Sequence, residues 1–175
     1  MSSLTTVFGM SLATFTLLHT LIALVGIVSG LVAVLGWAVG KAHPRWTAVF
    51  LTTTVATSVT GYGFPFERLL PSHIVGAISL VVLAVAIAAR YAFDLRGIWR
   101  RAYVISAVIA LYLNVFVGVV QSFLKVPALH ALAPGQTEPP FVVSQGLVLL
   151  AFVALAVVAA IRFQADLPLP SSRAK

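Results

Sequence analysis

The sequence predicts an all-α integral membrane helical bundle of five transmembrane helices, with the N-terminus outside and the C-terminus inside. Three observations carry this. The chain has 175 residues, 61% of them hydrophobic and only 9% charged, more apolar surface than a soluble domain of this size hides. Apolar runs near twenty residues recur, each long enough to cross a bilayer as a helix. The Lys and Arg residues sit between those runs, as topology signals do.

The first span is expected over residues 8–39, after a short polar lead. At helical spacing it aligns Thr16, His19, Ala23, Gly26, Gly30 and Ala33 on one stripe. Small residues let neighbouring membrane helices approach closely, and Gly26-x-x-x-Gly30 is a common form of that device. This face, His19 included, is therefore expected to point at other helices. The second span, 45–62, is rich in hydroxyls and ends at Gly61, Gly63 and Pro65. Pro44 suits its start. The third, 72–93, has Ser72 as its expected N-cap. Its small-residue stripe is His73, Ala77, Ala84 and Ala88. The fourth covers 98–124 and aligns Asn114, Gly118 and Gln121. A proline-rich loop over 125–140 precedes the fifth span, 141–163. Residues 1–163 thus form a single transmembrane domain. The tail 164–175 is Pro/Ser-rich and reads as a disordered cytoplasmic segment.

Orientation follows from charge. Loops one and three and the tail hold nearly all Lys and Arg, whereas loops two and four pair Glu67 with Arg68 and Lys125 with Glu138. The basic loops are expected on the cytoplasmic side, in an inner membrane. Trp37, Trp46 and Trp99 fall at that same interface, as an aromatic belt does.

Several function classes are excluded. There is no cysteine, which removes disulfides, thiolate metal sites, iron–sulfur clusters and covalently attached haem. The net charge of +7 lies in short loops, so the lipid bilayer and not nucleic acid is the expected partner. No carboxylate falls inside a predicted span, which argues against a cation-coupled transporter with a buried acid. No hydrolase triad, HExxH, phosphate-loop or dinucleotide motif occurs. No spacing demands a metal. No Lys or Arg precedes the first apolar run, so it does not read as a cleaved signal peptide.

The remaining chemistry gathers at the outer end. His19 is about 27 Å from Trp37 and His73 about 26 Å from Arg90 at helical rise, so the two share a depth. Asn114 and Gln121 bracket that depth, and Tyr62 lies near it. A polar pocket of His19, His73, Tyr62, Thr60, Asn114 and Gln121 is expected, with His130 and Glu138 from the long loop covering it. Two imidazoles at one level on separate helices meet the axial requirement of a b-type haem for electron transfer. The bland readings stand beside this one. A histidine near an interface can be satisfied by water, and His73 can simply begin a helix. Asn114 and Gln121 serve equally as inter-helix hydrogen bonds, and the threonines can bond their own helix carbonyls. In the alternative reading the protein is a structural or accessory subunit, joined to partner helices or to a second copy through the Gly26/Gly30 face.

The stretches SVTGYGFPFERLLPSH (58–73) and FLKVPALHALAPGQTEPPF (123–141), with LLHTLIALVGIVSG in the first span, resemble an uncharacterised family of small multi-helix inner-membrane proteins of proteobacteria. The resemblance covers most of the chain. It implies a bacterial inner-membrane protein and carries no activity with it. A looser, architectural similarity links the histidine placement to small b-type membrane cytochromes, which usually show more helical histidines.

Overall fold

The described chain opens on a minimal hairpin instead of a helix. A computed structural model gives the fold and describes residues 6–65 and 71–163. Strands β1 (Thr6–Val7) and β2 (Met10–Ser11) pair antiparallel, with Thr6 opposite Ser11. Phe8 and Gly9 turn between them at positive φ, a conformation that a helix starting at residue 8 does not permit. Helix α1 (Leu12–Ala38) starts only after this turn, and the Ser11 hydroxyl oxygen accepts from the Thr14 N–H as its N-cap.

Five long helices follow one another round the bundle: α1, α2 (Pro44–Thr60), α3 (Pro71–Tyr91), α4 (Ile98–Lys125) and α6 (Pro139–Arg162). A one-turn 3-10 helix, Gly61–Gly63, ends α2, and a short α5 (Pro127–Leu132) lies in the long loop. Neighbours in this order pack on one another, α6 closes back onto α1, and α4 also touches α1 and α2. Helices α1 and α3 do not form a packed pair. Four helices are long and apolar enough to cross a membrane: α1, α3, α4 and α6. The fifth, α2, has 17 residues. That is about 25 Å of rise, short of a hydrocarbon core of about 30 Å.

The core concentrates at the end carrying the basic loops. Val34, Trp37, Phe50, Leu83, Tyr103, Val104, Val108 and Leu111 are almost completely buried there. The next stretch of α4, residues 112–120, is only half-buried throughout. Two arginines cap helix ends at the same place. Arg100 donates to the Phe163 carbonyl (3.3 Å) and Arg162 to that of Ala38 (3.4 Å), a favourable site for a cation at a helix C-terminus.

The small stripe of α1 faces inward as expected, with Gly26, Gly30 and Ala33 buried. A Cβ at Gly30 would stand 2.6 Å from Leu111 and 2.8 Å from Phe50. The glycines thus seat α2 and α4 of the same chain, and the Gly26/Gly30 face is not free for a partner helix.

Other expectations change. The buried line of α3 is His73, Ser79, Leu83, Ala86 and Ala89, whereas Ala77 and Ala84 are exposed. Small residues alone misplace that face, because Leu83, 1% exposed, buries more apolar surface than an alanine and turns to the core. Ser72 lies within α3, which begins at Pro71. Trp37 is 1% exposed and tilts against Tyr103 and Phe163 at 5.2 and 5.3 Å, so it is a core residue and not part of a belt. Glu67, Arg68 and the tail 164–175 lie outside the described residues.

Candidate functional site

The outer end is built on the 3-10 turn between α2 and α3. Thr60 ends α2, and its hydroxyl donates back to the Ala56 carbonyl at 2.7 Å. A hydroxyl carries one hydrogen, so the oxygen of Thr60 is left as an acceptor. His19 Nδ1 lies 2.9 Å from it, reaching from α1 across 41 positions of sequence. The bond holds the ring through Nδ1 and leaves Nε2 outside it; with the Thr60 proton on the Ala56 carbonyl, Nδ1 is the donor. Phe64 meets the His19 ring edge-on at 5.1 Å and packs on Phe15 at 4.8 Å. Phe8 from the hairpin joins Phe15 at 5.9 Å. His19 is half-buried, so this aromatic wall shields one side and leaves the other accessible. Lys125, at the end of α4, lies within electrostatic reach of the ring.

His73 is 5% exposed and sits on the other helix that flanks the turn. The Tyr62 hydroxyl donates to its backbone carbonyl at 2.8 Å, and the two rings lie 5.6 Å apart. Gly76 lies beneath Tyr62, where an added Cβ would meet the ring at 3.5 Å.

Each histidine is thus engaged by a different residue of the 61–64 turn, Phe64 for His19 and Tyr62 for His73. A haem between two axial imidazoles needs the rings to face one another across an open slot. Here they belong to helices that do not pack together, with side chains of the connecting turn against each.

The other expected members disperse. Asn114 stands a layer deeper, beside Gly26, where a Cβ would meet Asn114 Nδ2 and Thr53 Oγ1 at 3.2 Å and Thr54 Oγ1 at 3.3 Å. Asn114 Nδ2 and Thr54 Oγ1 are buried without a hydrogen-bond partner. Seven residues separate His19 from Gly26, so this layer is about 10 Å from the histidine. Gln121 and His130 are exposed. Glu138 accepts from the backbone N–H groups of Gly135 and Thr137 at 2.9 and 3.0 Å, which orders its own loop. None of the described hydrogen bonds joins Gln121, His130 or Glu138 to His19. The pocket of eight residues contracts to His19, Thr60 and the 61–64 turn, with His73 behind Tyr62.

Sequence reasoning missed the phenylalanines of this site. Phe8, Phe15 and Phe64 carry no helical periodicity in common, since one lies in a hairpin and one in a turn. It also missed three inter-element bonds: Ser58 Oγ to Ser79 Oγ at 3.1 Å, Gln136 Nε2 to the Val120 carbonyl at 2.9 Å, and Gln145 Nε2 to the Phe116 carbonyl at 3.2 Å. The polar side chains buried in apolar spans were the available signal. Among the described residues no group of three or more His, Asp or Glu side chains is placed to hold a metal ion. No protein-family model matches the chain, and neither the curated proteins nor the solved structures contain a match.

Proposed function

We propose that this is a multi-pass protein of a bacterial inner membrane, whose outer end binds a small polar ligand or a proton at His19. The observation that carries the reading is the hydrogen bond between His19 Nδ1 and the Thr60 hydroxyl, which also bonds the Ala56 carbonyl of its own helix. A neutral imidazole fixed in this way offers Nε2 as a base or ligand at one defined position. A histidine held inside an apolar helix by a dedicated acceptor is a functional feature by default.

The proposal includes five crossings, with the N-terminus outside and the C-terminus inside. Contacts between α1 and α2 support α2 as a crossing helix despite its length. They run from Gly36 against His43, through Gly30 against Phe50 and Gly26 against Thr53, to His19 on Thr60. Helix α2 therefore covers the same depth as the middle of α1. Reporter fusions at the two termini are expected on opposite sides of the membrane, and termini on one side would refute the five-span reading.

The site is tested on protein with 15N-labelled histidine in detergent micelles. The expected spectrum shows His19 with a protonated Nδ1 and an unprotonated Nε2. A ring protonated on Nε2 alone would overturn the assignment. The bis-histidine haem is tested with the same preparation, as a reduced-minus-oxidised optical spectrum. No haem bands dependent on His19 and His73 are expected. Sharp bands lost in both His19→Ala and His73→Ala would restore electron transfer as the function.

A further inference from the structure

A second polar feature lies at the opposite end of the bundle, where the first and third loops meet α2 and α3 over Trp37 and Phe163. A cavity of about 390 Å³ is lined there by His43 and Thr47 on one side and by Arg90, Tyr91 and Asp94 on the other. Arg90 stands over two rings, Tyr91 at 5.7 Å and Tyr103 at 5.6 Å. Among the described residues no carboxylate pairs with it. Asp94, on the same wall, turns instead to Arg96 at 3.7 Å. Tyr103 is fully buried, and its hydroxyl lies within side-chain hydrogen-bonding reach of Arg90 and Thr47. Arg100 and Arg162 cap helix carbonyls, whereas Arg90 has no such carbonyl among the described hydrogen bonds. A guanidinium held by two aromatic faces, with no carboxylate partner and with more N–H donors than one tyrosine hydroxyl can use, is a receptor for an oxyanion, for which Arg geometry is suited.

The cavity does not end at this polar mouth. Tyr91 also lines a groove of about 300 Å³ that continues between the same two helices. Its other walls are Ala48, Leu51, Thr52, Val55 and Ile87, which are almost entirely apolar. A cationic mouth leading into an apolar groove matches an amphiphile with an anionic head. Basic pockets between membrane helices on the cytoplasmic side hold anionic lipid headgroups in this way. We infer that the α2–α3 cleft binds one anionic phospholipid, with its phosphate on Arg90 and an acyl chain along the groove. The proposed orientation enters only in naming the cytoplasmic leaflet as the source. Binding in detergent does not depend on it.

The test is native mass spectrometry of the full chain in detergent, with phosphatidylglycerol or phosphatidylcholine added. Both lipids carry the phosphate, but the fixed choline cation of phosphatidylcholine offsets it beside Arg90, so phosphatidylglycerol is expected to bind about tenfold more tightly. Arg90→Gln is expected to erase that preference, and Arg96→Gln, at an 81% exposed side chain, to keep it. Ala48→Phe adds a ring to an exposed wall of the groove, so folding tolerates it. It is expected to weaken both lipids while leaving Arg90 in place. Equal binding of the two lipids, or wild-type phosphatidylglycerol binding by Arg90→Gln or Ala48→Phe, would overturn the inference. Displacement of the lipid by millimolar inorganic phosphate would also overturn it, making the free anion the ligand.

Discussion

His19 and Thr60 hold one another across the outer end of the α1–α2 pair at 2.9 Å, and the same Thr60 hydroxyl reaches the Ala56 carbonyl at 2.7 Å. Thr60→Val keeps the shape and removes the acceptor. The His19 ring is then expected to populate both tautomers, seen as averaged 15N shifts. Stability in detergent is expected to fall by about 0.6–1.7 kcal/mol, the range for hydrogen bonds between membrane helices. An unchanged tautomer in Thr60→Val would show that another group orients the ring.

Gly30 and Gly118 make opposite predictions from the same substitution. A methyl group at Gly30 stands within 3.0 Å of Leu111 and Phe50, so Gly30→Ala is expected to destabilise by about 1–3 kcal/mol through overpacking. At Gly118 the nearest atom is Ile27 Cδ1 at 3.6 Å, an ordinary contact. Gly118→Ala is expected to be neutral or mildly stabilising, since it removes backbone freedom from the unfolded chain. Equilibrium unfolding in mixed micelles distinguishes the two.

Tyr62 ties the 3-10 turn to α3 through the His73 carbonyl. Its side chain is 38% exposed, so Tyr62→Phe is expected to cost only about 0.5–1 kcal/mol. Its clearer effect is local. Amide hydrogen exchange is expected to rise in the first turn of α3 and across the 61–64 turn, with the rest of the bundle unchanged.

Glu138 gives a pH dependence outside the membrane-spanning helices. Backbone donors, that of Gly135 first, hold its carboxyl below the ordinary value. A depressed folded-state value means the stabilisation is present above the unfolded value, about 4.3. It is lost as pH falls through the folded value below that. Acidification is expected to raise hydrogen exchange at Gly135 and Thr137. Glu138→Gln is expected to show raised exchange already at neutral pH and to lose the dependence.

Much of this protein was legible in order along the chain. Each run of about twenty apolar residues became a helix, because no other structure satisfies its backbone in lipid. Pro44 set the start of α2, and Gly61 and Gly63 set its end. The threonines of α2 return to their own carbonyls, as Thr53, Thr57 and Thr60 show. Inward-facing Gly26 and Gly30 were readable from their spacing. These are local properties, fixed by helix period and by which groups a single helix satisfies.

What failed was rotation and convergence. His19 and His73 share a depth along the chain, yet depth says nothing about azimuth. Tertiary packing put α2 and its turn between their helices, so each histidine meets a different side chain. The same ambiguity misplaced the inner face of α3, where Leu83 rather than Ala84 turns to the core, and left Gln121 exposed. Trp37 read as an interface residue until Tyr103 and Phe163 closed over it. The sequence by itself determined the helices, their apolar character and the pairing of basic loops with one end. Only the tertiary structure decided which polar groups meet, because helix rotation is set by side-chain packing summed over several neighbours, and no one segment contains that sum.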